Sequence, residues 1–506
     1  MLMTLTVVFH HEIEREQRLI MYKADIYPGE EVESSGQFPD KAGLKDGLHI
    51  DDGYTHREQR EIIHKIDRRL VTGLGLLFCV SLVDRTNLGN AMIAGMEKDL
   101  HLYIGSRYSI TLLVFFVPYV IFQFPLVMVI RSVGPRIFLP GITFLWGIVM
   151  LGFGFIHDWT VLIGLRIILG FLEAGLFPGA VYLLSMWYTR YDMHKRYSSF
   201  YLISVIGGAF SGLLSYGFIH MDGLGNLAAW RWIFVMEGLL TCLVAFIGFL
   251  LIVNFPDEKN LSWKFLNREE TAFVVRRINR DRRDASEAPF KLREFLQPGL
   301  DPKVWGFAII FFCATVVSYA ITFFLPLILR SELKFGTAAS QCLTTPPYFF
   351  AGIFMYAQGW LGDKYHIRAP FIVYNCLQCI VGLAILGWVQ IPGVQYFGIF
   401  LVTSGSNATI PAALTYQANN IRGQWKRAFC SASMISLGGT GGVVGSLVFR
   451  SQDAPHYLPG VYACIACNLL AIVVVSVLTL HFAVSNKRAE RGKLVIEGLQ
   501  GFRYTL

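Results

Sequence analysis

The stretch FCVSLVDRTNLGNAMIAG, Phe78 to Gly95, sets two adjacent charges, Asp84 and Arg85, inside a run that is otherwise apolar and small. Whether the helix stops at these charges or passes through them decides the fold. An apolar helix from Leu70 that ended at Val83 would hold 14 residues and rise only about 21 Å. A hydrocarbon core is about 30 Å thick and needs roughly 20 residues. The helix therefore has to continue, and Asp84 and Arg85 are expected inside the membrane.

That a membrane is the solvent follows from composition. Of 506 residues, 54% are hydrophobic, 14% aromatic and only 16% charged, with a mean hydropathy of +0.48; a soluble chain of this length does not reach such values. The apolar blocks are continuous rather than alternating, which indicates helices and not a barrel. Spans are read at 70–95, 108–130, 137–156, 160–187, 197–218 and 230–254, then at 304–329, 343–361, 370–389, 394–418, 429–449 and 458–483. The expected fold is an all-α membrane protein of about twelve transmembrane helices. Its organisation would be a mostly disordered tail (1–69), a six-helix bundle (70–255), a charged linker (256–302), a second six-helix bundle (303–484) and a tail (485–506). In the linker, Asn267 and Glu270 have capping-box spacing, and Phe273, Val274 and Ile278 form a narrow apolar stripe. The stripe fits an amphipathic helix on the membrane surface, or a merely solvated charged one.

Lys and Arg crowd alternate loops, at Arg131 and Arg136, Arg190 to Arg196, Lys364 and Arg368, and Arg422 to Arg427, together with the linker and the tail NKRAERGK. By the positive-inside rule both termini are expected in the cytoplasm, most simply in a plasma-membrane protein. The net charge of +8 is then loop bias, and no nucleic-acid role is expected. The start MLMTLTVVF lacks the basic n-region and cleavage site of a signal peptide, and the sequon at Asn260 would lie on the cytoplasmic side, unused. The two CxxC spacings, Cys376/Cys379 and Cys464/Cys467, lie within spans without nearby His or Asp, so packing rather than metal binding is expected.

The halves repeat each other. Pro178 answers Pro411, Lys195-Arg196 answers Lys426-Arg427, Gly207-Gly208 answers Gly438-Gly439, and Asp363 falls over Arg131, at offsets of 231 to 233 residues. Two six-helix pseudo-repeats moving about a midplane site is the construction of alternating-access transporters. Within this frame GWLGDKYHIR, with Gly359, Asp363, Lys364 and Arg368, resembles the loop signature of the major facilitator superfamily. Its first-half copy is degenerate, with Arg131 where Asp is usual. DRTNLGNA (84–91), RIILGFLEAGLFPG (166–179), WRWIFVMEG (230–238) and NNIRGQWKRA (419–428) resemble the anion:cation symporter family, especially its fungal nicotinate, allantoate, pantothenate and biotin permeases, and the GFRYTL ending leans toward the nicotinate-permease-like members. The resemblance implies the major facilitator fold and secondary transport of a small organic anion. It also implies proton acceptors at the positions of Asp84 and Glu173, tied to substrate by Arg85.

The residues themselves carry a compatible chemistry. Measured from Arg69, Arg85 lies about 24 Å along the first span. Arg166 and Glu173 lie about 10 and 21 Å into the fourth, on one face by their spacing of seven. This places Arg166 in the layer of Asp84 and Arg85, with Glu173 about two turns below. A static Asp84–Arg85 pair that orients the helix is one reading; a transport pathway is the other, favoured because intramembrane charges mark pathways and proton relays. An Arg matches a carboxylate with two prongs, so Arg85 and then Arg166 are the candidate anion binders, with Asp84 and Glu173 proton-coupling. Asn87, Tyr119, Gln123, Tyr319 and Asn407 are candidates for shaping the site, and Asp363 for latching a helix end. The second half offers only neutral polar groups deep in its spans. Glu237 could pair with Arg231 or act in coupling, the former preferred. The expected protein is a monomeric proton-coupled carboxylate symporter, with no cofactor beyond the proton. A carboxylate-binding nutrient sensor is the alternative. No nucleophile, metal cluster or Walker A sequence suggests an enzyme or ATP drive.

Overall fold

The computed structural model describes residues 54–104, 107–256, 265–282, 291–331, 343–448 and 458–506; the expectations for residues 1–53 and Asn260 lie outside these. Among the described residues the regular elements are all helical. One unit comprises residues 65–483 with 504–506, and a second residues 1–64 with 484–503.

In the larger unit, the first span is α2, Thr72–Ala91, which runs unbroken through Asp84 and Arg85, as its length requires. A π turn, Asp67–Val71, precedes it. Another, Met92–Met96, follows, where Gly95 takes φ of +112°, a conformation that favours glycine. Spans two to six are α3 (Arg107–Val133), α4 (Pro135–Phe153), the pair α5 (Trp159–Glu173) and α6 (Leu176–Trp187), α7 (Met193–Ile219) and α8 (Ala229–Leu251). After α9 (Arg268–Arg282), spans seven to twelve are α10 (Pro302–Ser331), α11 (Thr345–Tyr365), α12 (Ala369–Trp388), α13 (Pro392–Asn420), α14 (Gln424–Val448) and α15 (Leu458–Glu490). Ten of the spans are long and apolar enough by composition to cross a membrane. The other two, the first and the eighth, have 20 and 21 residues and more polar sequences.

The fourth span breaks at Ala174–Gly175, immediately after Glu173. Pro178 explains the break, since its ring opposes the carbonyl four residues earlier and it donates no N–H. Just before the break, Gly170 brings the helix backbone against the Phe115 carbonyl of α3; a Cβ there would collide with that oxygen.

Two expectations outside the spans change. The helix α1, His56–Ile66, lies within the stretch read as mostly disordered tail, opened by a Thr55/Glu58 capping box in which the Glu58 carboxylate accepts from Thr55 N at 2.8 Å and Thr55 Oγ1 at 2.9 Å. The linker helix α9 has its expected reciprocal contact, Asn267 N to Glu270 Oε2 at 2.8 Å. Its apolar stripe, however, is covered by protein, with Phe273 and Ile278 1% exposed, so it does not lie on a membrane surface. Ion pairs hold it down: Arg277 to Asp192 at 2.7 Å, Asp281 to Arg190 at 2.9 Å and Glu270 to Lys65 at 2.7 Å.

Candidate functional site

Adjacent helical residues point about 100° apart, so Asp84 and Arg85 cannot face the same neighbours. Arg85 turns toward the second half. Its Nε donates to Glu173 Oε2 at 3.2 Å, its Nη2 forms an ion pair with the same oxygen at 3.2 Å, and its Nη1 donates to Tyr319 Oη at 2.6 Å. The guanidinium carbon lies 4.8 Å from the Tyr119 ring centroid and 5.9 Å from that of Phe115, cation–π contacts that hold the fork flat against α3. Glu173 Oε2 also accepts from Ser81 Oγ at 3.2 Å, while Oε1 is buried without a partner. Spans one, two, four and seven thus meet at one guanidinium, which remains 11% exposed while Glu173 is 1% exposed.

Asp84 faces the interior of the first six spans instead. Its Oδ2 accepts from Trp146 Nε1 at 3.0 Å and Thr241 Oγ1 at 3.2 Å, and its Oδ1 from Asn87 Nδ2 at 3.4 Å. The static Asp84–Arg85 pair is not found; the carboxylate paired with Arg85 is Glu173. Asn87 accordingly sits beside Asp84 rather than Arg85. Arg166 is buried over the Phe153 ring, 5.4 Å from its centroid, and its charge acts on both Asp84 and Glu173; Glu173, expected two turns below Arg85, is bonded to it. Gln123 is fully buried with both amide atoms unpartnered. Asn407 is buried on α13 and donates back to the Thr403 carbonyl of its own helix at 2.8 Å. Glu237 does not meet Arg231, whose Nη1 donates to the Gly154 carbonyl at 3.1 Å. Ser81, Phe115, Trp146 and Thr241 were missed from sequence. Only Ser81, one turn before Arg85 on the same face, carried a signal.

A second constellation lies at the end of the bundle where the basic loops cluster. Asp363 accepts from the backbone N of His194 at 3.3 Å and Lys195 at 2.9 Å, in the first turn of α7, and from Arg368 Nη2 at 2.8 Å. A carboxylate there meets both the orphan N–H groups and the positive end of the helix dipole. Gly359 lets α11 approach Ser198 and the His194 carbonyl, and Lys364 lies over the Trp360 ring at 5.0 Å. The degenerate Arg131 reaches the first residue of α14, donating to Gln424 Oε1 at 3.2 Å. Arg427, read as a loop charge, is a 1% exposed guanidinium spanning three carbonyls: Ile421 at 3.1 Å, Ala418 at 2.7 Å and, in the first half, Ser185 at 2.7 Å. Outside the spans, burial would raise the Asp301 carboxyl, but Lys303 and Lys426, 3.4 and 3.0 Å away, bring it down to about 2.

Comparison with known proteins gives a consistent placement. Residues 74–449 match the family model described as Major Facilitator Superfamily. The chain is 30% identical over 454 residues to the MFS-type transporter cnsO of Penicillium expansum, covering 88% of this chain and 87% of the relative. It is 28% identical over 427 residues to the high-affinity nicotinic acid transporter of Saccharomyces cerevisiae, covering 83% and 78%. Among solved structures, the proton:xylose symporter XylE superposes with a TM-score of 0.64 at 14% identity, over 82% of this chain and 95% of that one, a likeness of fold.

Proposed function

Because the chain belongs to the Major Facilitator Superfamily of membrane transporters, we propose that it carries a small organic anion, a monocarboxylate such as nicotinate, into the cell together with protons. The basic loops would face the cytoplasm and the membrane would be the plasma membrane. The observation that carries this reading is the Arg85 cluster: a cation inside the first span, held by one carboxylate of its own half and one hydroxyl of the other. A substrate carboxylate is the chemical equal of the Glu173 side chain and would compete with it for the same edge of the guanidinium. A proton on Glu173 removes that competition and frees the guanidinium, so binding of anion and proton favour each other. Tyr319 gives the exchange a mechanical consequence, because its bond to Arg85 joins the halves and an anion at the guanidinium would compete for Nη1 as well. Contacts between Asp363 and α7, Arg427 and Ser185, and Arg131 and Gln424 hold the basic side closed; access to Arg85 is then from the opposite side, as uptake requires. The fungal relative named for nicotinic acid and the cation–π shelf of Tyr119 and Phe115 favour an aromatic acid.

The test is uptake of a labelled monocarboxylate panel by cells expressing the protein, with and without a protonophore. Uptake that collapses with the protonophore and is absent in Arg85→Ala supports the proposal. Uptake indifferent to the protonophore, or full uptake in Arg85→Ala, overturns it.

A further inference from the structure

Asp84 raises a problem of access. Its donors come from spans one, three and six, it is 1% exposed, and it shares no bond with the Arg85 group. A proton that reaches Arg85 and Glu173 from between the halves does not thereby reach Asp84. The structure holds a different approach, through the interior of the first six spans.

Thr241, which donates to Asp84 Oδ2, stands one turn beyond Glu237 on the same face of α8. Glu237 is 1% exposed. Its Oε1 accepts from Ser215 Oγ at 3.4 Å, and its Oε2 has no partner. Ser215 in turn accepts from Asn90 Nδ2 at 2.9 Å, and Asn90 is half-buried. These residues are ordered along the bundle axis. Ser215 lies four residues from the end of α7, and Asn90 one residue from the end of α2, both away from the basic loops. Glu237 is about 12 Å and Thr241 about 18 Å into α8 from that same side.

The charged groups around Glu237 are few. On α2 the facing group is Asp84, a like charge that acts on it. On α8 itself Arg231 is turned to the Gly154 carbonyl. Asp99, past the first span, is taken by Trp230 Nε1 at 2.7 Å. From α7 come the hydroxyls of Ser215 and Ser211, and α4 contributes Trp146, which is spent on Asp84. A carboxyl buried with one hydroxyl donor and no cation is a poor resting place for a charge, and packing alone would be served as well by an apolar residue of its size.

We infer that Glu237 is a proton-relay group, exchanging protons between the far end of the first half, at Ser215 and Asn90, and Asp84. In the inward step the Glu237 side chain swings its unbonded Oε2 onto the Thr241 hydroxyl, its neighbour one turn along the same face, and gives up its acid proton to that oxygen as the hydroxyl passes its own proton to Asp84 Oδ2. A carboxylic acid at 237 and a carboxylate at 84 become a carboxylate at 237 and a carboxylic acid at 84, with charge and protons balanced, and water at the far end then re-protonates Glu237 through the Ser215 hydroxyl, which takes up one proton as it passes its own to the carboxylate. This inference rests on the proton-coupled reading above.

Two measurements on the full-length protein in lipid vesicles test it. The first compares labelled nicotinate uptake driven by an inward proton gradient with nicotinate exchange at equal pH on both sides, in wild type, Glu237→Gln and Glu237→Asp. Gradient-driven uptake is expected to be lost in Glu237→Gln and largely recovered in Glu237→Asp, while exchange persists in both. Unchanged driven uptake in Glu237→Gln, or loss of uptake and exchange alike with no rescue by aspartate, overturns the relay. The second needs no substrate: infrared spectra across pH are expected to show a protonated-carboxyl band in wild type that is missing in Glu237→Gln. Identical spectra would overturn the inference. Nicotinate uptake by wild type that ignores the gradient, with the Glu237 band present, would instead count against the symport reading alone.

Discussion

The first six spans and the last six share their landmarks but settle their buried polar groups in opposite ways. In the first half, charges are held by other helices: Glu173 on α5 by Arg85 and Ser81 of α2, and Asp84 on α2 by Trp146 of α4 and Thr241 of α8. In the second half, polar groups along the middle of α13 turn back on their own helix. Asn407 donates to the Thr403 carbonyl at 2.8 Å, Thr409 to Gly405 at 2.8 Å and Thr415 to Pro411 at 2.7 Å. The proline landmark shows the same division, since the span with Pro178 breaks and the span with Pro411 does not. A group that borrows partners from a neighbouring helix ties its position to that helix, and a change in one is felt by the other. A hydroxyl bonded to the carbonyl four residues earlier carries its satisfaction with it when the helix moves. The first half therefore holds the switchable chemistry, and the second offers a surface that can slide past it.

The largest effect expected from this contrast is at Arg85. Arg85→Ala should abolish uptake and, by leaving Glu173 buried and unpaired, cost about 3–5 kcal/mol of stability. Glu173→Gln in the same chain should restore much of the stability and none of the uptake. Thermal melts of the purified single and double variants measure this, and a double variant no more stable than Arg85→Ala would break the claim that the pair is the stake. Arg85→Lys should not rescue transport, because an ammonium is a point charge and cannot span Glu173 and Tyr319 as the planar fork does.

The next comparison is between repeat mates. Arg196 is bound by carboxylates of its own half, Asp67 at 3.0 Å and Asp192 at 3.2 Å. Arg427 spans three bare carbonyls, one of them across the halves. Hydrogen bonds to a charged group contribute about 1.5–3 kcal/mol each, so Arg427→Met should destabilise the protein by about 3 kcal/mol or more. It should also make cysteines placed on the facing surfaces of α6 and α14 more reactive from the basic side. Arg196→Met should lower stability less and leave that reactivity unchanged. Equal reactivity in the two variants would show that Ser185 is not a tie between the halves.

Much of this was legible in the sequence and some was not. The passage of the first helix through Asp84 and Arg85 followed from length alone, and the repeat followed from four landmarks. Depth arithmetic failed at Glu173, placed two turns from Arg85 and found bonded to it. That arithmetic took Arg69 as the membrane edge and counted only backbone rise, whereas Arg69 lies in a π turn and long Arg and Glu side chains extend several Å along the axis from their own Cα atoms. Asp84 and Arg85 were treated as a pair because they are neighbours in the chain, although the helical rotation between them already separated their faces. Trp146 and Thr241 were beyond reach, since nothing local to either residue announces that Asp84 will arrive opposite.

A smaller effect is expected where the loop signature and its degenerate copy differ. Asp363 caps α7 with a carboxylate; its counterpart Arg131 can approach the positive end of α14 only through the Gln424 side chain. Asp363→Asn should weaken closure on the basic side by about 1 kcal/mol. Arg131→Asp, by recreating a carboxylate at the other helix, should favour closure by a similar or smaller amount. Hydrogen–deuterium exchange at the first turns of α7 and α14 reads both, and faster exchange at α14 in Arg131→Asp would contradict the dipole argument.

The least effect should come from Asn407. Its amide donor is already spent on Thr403, so Asn407→Ala gives up a local bond that supports no other helix, worth about 1 kcal/mol or less. If the second half contributes shape rather than charge, this variant should alter KM for the carboxylate several-fold less than Arg85→Ala alters uptake, with kcat and the pH profile unchanged. Gln123 supplies the counter-case within the first half, since its amide is buried with neither atom bonded and its loss should not expose an unsatisfied partner. Transport kinetics of Asn407→Ala beside Gln123→Ala therefore separate a back-bonded amide from an uncommitted one. A shift of the pH profile in Asn407→Ala would mean that the second half shares in proton coupling after all, and the division between the halves would have to be redrawn at α13.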